Sequence, residues 1–294
     1  MPRPIAPLRT PMTFTIALAQ IDSRVADIPG NIRRHADAIE QARQGGADLV
    51  VFPELSLCGY SLKDAAAETA IRASDPVLLG ILPGLAADIS VLLGCAEETE
   101  DFAVTNSAFL LERGTVVSAH RKIYLPSYGM FEEQRIFRPG RTVRPVASRL
   151  GPLGVLICED LWHLPLPYLL AHSGAQVIIG MAASPTRLSG PGARPRQAQI
   201  NTEQHQSYAR LLGSYVVFAN RVGYEDGVNF WGGSEVIGPH GDTIVQAKLF
   251  DEDMVFAEID TDEVKRARRQ SRHFLDDDLA LLLREGRRIE RERE

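Results

Sequence analysis

An unbroken alternation of two kinds of apolar segment constrains this chain more than any other feature. Eight short runs rich in apolar and β-branched residues read as buried strands: TFTIALAQ (13–20), ADLVVFPE (47–54), ISVLLGCA (89–96), SAFLLE (107–112), GTVVSAHRK (114–122), GPLGVLICED (151–160), AQVIIG (175–180) and GSYVVFAN (213–220). Between several of them lie segments with helical periodicity. In 31–44, Ile32, Ala36, Ile39 and Ala42 share one face, and 76–88, 165–173 and 196–212 behave alike. A later stretch, 234–259, sets short strands around GPHGD and FDED and reads as a hairpin pair closing the sheet. No linker rich in Gly, Ser or Pro interrupts the pattern, so the expectation is one α/β domain over 13–261 with some antiparallel pairing.

The flanks differ. Residues 1–12 hold four prolines and read as a flexible arm. Residues 262–294 are dense in charge, end in RRIERERE, and read as a helical tail that is either solvated or grips a second subunit. The 294 residues are 45% hydrophobic and 24% charged, the balance of a globular chain. Lys plus Arg number 32 against 38 Asp plus Glu, a net charge of −6 that argues against a nucleic-acid partner. No apolar run approaches the roughly 20 residues needed to cross a bilayer. Three cysteines, an odd number in a long chain, point to a reducing cytoplasm and not to a disulfide framework.

Three strand-like runs end in a residue with chemistry: Glu54, Lys122 and Cys158. Sites in α/β sheets gather at the carboxyl ends of strands. Taken singly, Glu54 is a turn cap, Lys122 a solvated strand end and Cys158 a small core hydrophobe. Together they say more. The run before Cys158 is apolar, while Glu159 and Asp160 are charged and are expected to turn out of the core. Cys158 therefore sits at a strand-to-helix corner, where the next backbone N–H, that of Glu159, is an oxyanion donor. A thiol needs a carboxylate to take its proton and benefits from a nearby ammonium, and Glu54 and Lys122 are those two groups. His120 shares a strand face with Lys122 and supports the site or simply the fold. The histidines and cysteines show no zinc-like spacing, and no Gly-rich phosphate loop is present, so neither a metal nor a nucleotide cofactor is expected.

The blocks FPELSLCGY, HRKIYLPSYGMFEEQRIF and GVLICEDLW, in that order, resemble the three signatures of the nitrilase (carbon-nitrogen hydrolase) superfamily. LPSYGMFEEQRIF and ICEDLW are most similar to the glutaminase domain of glutamine-dependent NAD synthetase. The resemblance implies a four-layer αββα sandwich and a Glu-Lys-Cys triad, carried onto Glu54, Lys122 and Cys158. The family's additional glutamate matches Glu133 best, with Glu132 as its neighbouring alternative. Association into homodimers or higher homo-oligomers is implied too.

The chemistry expected of this set is hydrolysis of an amide through a thioester, with release of ammonia and no cofactor. Expected substrate contacts are Tyr60, Tyr128, Phe131, Glu159, Trp162, Ser184 and Arg187. The last lies in the loop SPTRLSGPGARPR (184–196), where Arg187, Arg194 and Arg196 offer a fork for a carboxylate. That loop departs from the NAD synthetase pattern, and NRVGYEDGVNFWGGSEVIGPHGD looks more like free-standing amidases of the superfamily. Nothing after Asp260 is long or apolar enough to form a synthetase domain. The reading is a stand-alone amidase acting on a small linear amide or carbamoyl compound. Its alternatives are a glutaminase subunit that serves a separate synthetase partner, a true nitrilase, and a non-catalytic interaction protein of the same fold.

Overall fold

The computed structural model describes residues 12–75, 87–186 and 195–293. The arm over 1–11, most of the expected helix over 76–88, and Arg187 and Arg194 lie outside the described residues.

Two six-stranded sheets form the centre. The first runs β15-β1-β2-β3-β4-β5, built from β1 (Thr13–Gln20), β2 (Leu49–Val51), β3 (Ser90–Glu98), β4 (Val104–Glu112), β5 (Thr115–Arg121) and β15 (Asp253–Asp260). The second runs β14-β13-β10-β8-β7-β6, from β6 (Val146–Ser148), β7 (Gly151–Ile157), β8 (Val177–Ala182), β10 (Tyr215–Asn220), β13 (Glu235–Ile237) and β14 (Thr243–Gln246). Three short strands, β9 (Pro185–Thr186), β11 (Val222–Glu225) and β12 (Val228–Trp231), make a small third sheet.

The central strands are buried on both faces, which is why they read as continuous apolar runs without alternation. Ile16, Leu18, Leu49, Val51 and Leu92 of the first sheet pack against Leu153, Val155, Ile157, Ile179 and Val217 of the second in one core. Helices cover the outer faces. Helix α1 (Ile28–Gln44) starts where Asp27 accepts the Gly30 N–H at 3.0 Å. It lays Ile32, Ala38, Ile39 and Ala42 on Val50, Phe52, Val91 and Leu93. Helices α2 (Pro165–His172) and α3 (Arg196–Leu212) cover the second sheet through Leu166, Leu170 and Ala198, packed with Leu156, Ile178 and Phe218. Helix on sheet on sheet on helix is the four-layer αββα sandwich.

The expected hairpin pair is only half correct. The turn GPHGD does join β13 and β14 as a hairpin in the second sheet. The segment after FDED, however, leaves that sheet and pairs antiparallel with β1 over eight residues, from Thr13 opposite Asp260 to Gln20 opposite Asp253. Local turn chemistry reads loop type, while the choice of sheet is made by non-local pairing. After β15 come helix α4 (Thr261–Gln270), which tucks in Val264 and Ala267, and helix α5 (Leu279–Arg293), which buries no residue within the chain. Among the described residues no helix is long and apolar enough to cross a membrane.

Candidate active site

Strand β2 ends at Val51, and Phe52-Pro53-Glu54 leaves the sheet toward the neighbouring β3. That path needs Gly94. A Cβ there would stand 2.4 Å from the Leu55 nitrogen and 2.6 Å from the Pro53 oxygen, so the absence of a side chain lets the Glu54 segment lie against the strand.

Glu54 is buried and held by three donors. Its Oε1 accepts from Lys122 Nζ at 2.7 Å and from Asn106 Nδ2 at 2.8 Å, and its Oε2 accepts from the Ala183 N–H at 2.9 Å.

Lys122 arrives from β5. That strand lies at a sheet edge and alternates, so Ala119 and Arg121 face solvent while His120 and Lys122 turn inward. The Lys122 backbone N–H donates to the Asn106 carbonyl at 2.8 Å, and Nζ donates to both Glu54 and Glu133, each at 2.7 Å. Burial alone would depress the lysine, but the carboxylates of Glu54 and Glu133 outweigh it and hold the ammonium above its ordinary range. Glu133 opens a one-turn helix, Glu133–Ile136, and accepts the Tyr60 hydroxyl as well. Burial, opposed by Lys122 and reinforced by Glu54, raises its carboxyl to about 7.

Cys158 follows β7 and begins a short 3-10 turn, Cys158–Trp162. Its φ of 47° is left-handed, a conformation that costs a non-glycine residue about 1–3 kcal/mol and recurs where a nucleophile is presented on a sharp corner. The half-buried thiol is pushed well up, by burial first and then by Glu54, with Lys122 opposing.

The corner is held by a residue expected to point away. Asp160 is not turned out of the core but has no exposed surface. Its Oδ1 accepts the N–H groups of Ile123 at 3.0 Å and Tyr124 at 2.9 Å, and its Oδ2 meets the Ile157 N–H and His120 Nε2, each at 3.2 Å. Satisfying orphan backbone donors offsets the cost of burying the charge. His120 is accordingly a partner of Asp160.

The remaining expected contacts divide into three groups. Tyr128 and Glu159 line an open cleft of about 550 Å³ together with Tyr124, Pro139 and His163, and the Tyr128 hydroxyl donates to Glu159 at 2.7 Å. Trp162 and Ser184 line a much smaller pocket of about 10 Å³, room for one water-sized group, with Cys158, Asn201, Gln204 and His205. Tyr60 and Phe131 pack edge to face at 6.3 Å, and Tyr60, its hydroxyl held protonated by burial and the nearby carboxylates, serves Glu133. Arg187 lies outside the described residues.

Sequence reasoning passed over Asn106 and the Ala183 N–H, and it turned Asp160 out of the core. For Asn106 a signal existed: Thr105, Asn106 and Ser107 are three consecutive polar residues inside an otherwise apolar strand, and all three are buried. Two acceptors of the cluster, Asn106 Oδ1 and Glu133 Oε2, are buried without a donor among the described residues. Each such atom costs about 1–3 kcal/mol.

Known proteins resemble this chain in sequence and in fold. The family model for carbon-nitrogen hydrolase matches residues 15–269. The glutamine-dependent NAD(+) synthetases of Thermotoga maritima and Acinetobacter baylyi are each 31% identical, over 84% and 85% of this chain. The chain spans less than half of those relatives, 42% and 45% of their lengths. Among solved structures, a variant of the amidase from Nesterenkonia sp. AN1, with the acetamide moiety of fluoroacetamide covalently added at its active-site cysteine, superposes with a TM-score of 0.75. That pair is 26% identical, covering 92% of this chain and 96% of the amidase. The glutamine-dependent NAD+ synthetase from Acinetobacter baumannii superposes with a TM-score of 0.78 at 29% identity, covering 86% of this chain and 47% of its own. The fold, the matched span and these relatives lead to one assignment: the chain belongs to the carbon-nitrogen hydrolase family.

Proposed function

We propose that the protein is a cysteine-dependent hydrolase of the carbon-nitrogen bond in a small linear amide or carbamoyl compound. The observation that carries this reading is the Lys122 ammonium held at 2.7 Å from both Glu54 and Glu133, beside the Cys158 corner. Glu54 takes the thiol proton as the sulfur attacks the carbonyl carbon. Lys122 Nζ has three hydrogens and spends two on carboxylates, so the third is free for the oxygen that becomes negative. The Glu159 N–H, on the turn after the nucleophile, is the companion donor. Collapse expels ammonia carrying the proton from Glu54 and leaves a thioester, and water activated by the same carboxylate releases the acid. No step calls for a cofactor. Tyr128 and Glu159, lining the cleft, are read as substrate contacts, as are Trp162 and Ser184 at the small pocket.

A second reading, a glutaminase subunit that hands ammonia to a synthetase partner, is favoured by the 31% identity to glutamine-dependent NAD(+) synthetases. One panel separates the two: ammonia release from glutamine, aliphatic amides, ureido acids and nitriles, with Cys158→Ala as the blank. Turnover of aliphatic amides without glutamine supports the amidase, and turnover of glutamine alone supports the subunit. No Cys158-dependent release from any of them removes both. On the same reading α5, with Leu281, Leu282 and Leu283 about half exposed, contacts a second copy; a monomeric mass in solution counts against that.

A further inference from the structure

We infer that Asn106 is a positioning residue for the base: it selects Oε2 of Glu54 as the atom that takes the Cys158 proton. The inference rests on the hydrolase reading above and deepens it. A carboxylate oxygen has two lone pairs. Both pairs of Glu54 Oε1 are engaged, by Lys122 Nζ at 2.7 Å and Asn106 Nδ2 at 2.8 Å. Among the described residues the one N–H donor to Oε2 is that of Ala183, so the open pair of the carboxylate is on Oε2, the side left for the Cys158 thiol. In the transfer the S–H bond breaks, an O–H bond forms at Oε2, and the electron pair stays on sulfur for attack.

The orientation of the Asn106 amide is fixed by its surroundings, because the reversed amide would set Oδ1 against the carboxylate oxygen. Its Oδ1 is then left buried with no donor among the described residues. A residue kept for packing alone would satisfy both ends or be apolar. The Asn106 backbone carbonyl, meanwhile, takes the Lys122 N–H at 2.8 Å. One residue therefore grips the acid by its side chain and the amine by its main chain. Without Nδ2, Oε1 regains a lone pair and the proton divides between two oxygens, of which one is placed to receive it.

The test is the rate of Cys158 alkylation by iodoacetamide near neutral pH, read on the Cys158 peptide by mass spectrometry. It compares the native chain with Asn106→Ala, Glu54→Gln and the double variant. Because this readout needs no substrate, it stays separate from the amide panel, whose failure would remove the hydrolase reading alone. Asn106→Ala is expected to slow alkylation about tenfold, the effect of one hydrogen bond to a charged group, and to change it less than about twofold when Glu54 is already Gln. On any amide that is turned over, kcat falls while KM holds. Equal slowing in both backgrounds, or none in either, overturns the inference. Asn106→Leu, which nearly keeps the shape and removes the donor, serves if the alanine variant fails to fold: it should alkylate at least as slowly, and a native rate would overturn the inference equally.

Discussion

Asp160 accepts the backbone N–H of Ile123 at 3.0 Å, and this contact joins the strand end that delivers Lys122 to the turn that delivers Cys158. Two chain segments almost forty residues apart are thereby fixed at one carboxylate. Asp160→Asn removes the charge and forces an amide nitrogen against one of three N–H donors. We expect a loss of about 2–4 kcal/mol in stability, measured by urea unfolding, with a fall in Cys158 reactivity. A variant as stable as the native chain would refute this role.

Gly94→Ala places a methyl group inside contact distance of the Leu55 nitrogen and the Pro53 oxygen, which are main-chain atoms that cannot swing aside. The Glu54 segment must shift. The expected cost is about 1–3 kcal/mol, accompanied by reduced turnover, and thermal unfolding beside an activity assay checks both.

His35 is buried beneath the Glu54 segment, with its Nε2 3.0 Å from the Ser56 hydroxyl. Burial lowers its pKa from 6.5 to about 4. A histidine whose folded value is depressed contributes stability that is fully present above the unfolded value. That contribution is lost as pH falls from 6.5 through 4, because the unfolded chain takes up the proton first. About 3 kcal/mol is expected to disappear across that window. Urea midpoints followed from pH 7 to 4 should show it, and His35→Gln should flatten that part of the curve.

The three cysteines should react very differently. Cys58 and Cys95 are buried, and burial pushes the Cys58 thiol up to about 12 and Cys95 well above its ordinary value. Cys158 lines the small pocket beside Glu54 and Lys122. Iodoacetamide should label the folded chain at Cys158, leave the other two until urea is added, and give no rapid labelling of Cys158→Ala. Equal, slow labelling of all three would favour a non-catalytic scaffold.

Much of this arrangement was legible in the sequence for a local reason. Strands buried on two faces write themselves as apolar runs, and a polar residue that closes such a run is placed at a sheet end. That rule locates Glu54 and Cys158, while alternation along the edge strand β5 sends His120 and Lys122 to one side. Asp160 was misread because a carboxylate beside Glu159 resembles surface, and only the meeting of the Ile123, Tyr124 and Ile157 backbones reveals why it is buried. The path of β15 was hidden for a similar reason: its partner is the first strand, more than two hundred residues away.

That last pairing has a consequence for how the molecule can be built. With β15 seated along β1, the first sheet keeps an open edge until residues 253–260 have been made, so a nascent chain that stops short presents β1 as an unpaired template for aggregation. Completion of the first sheet thus waits until residue 260 has been made, and truncations within 253–260 should yield insoluble protein even though every residue of the Glu54, Lys122 and Cys158 cluster has already been translated.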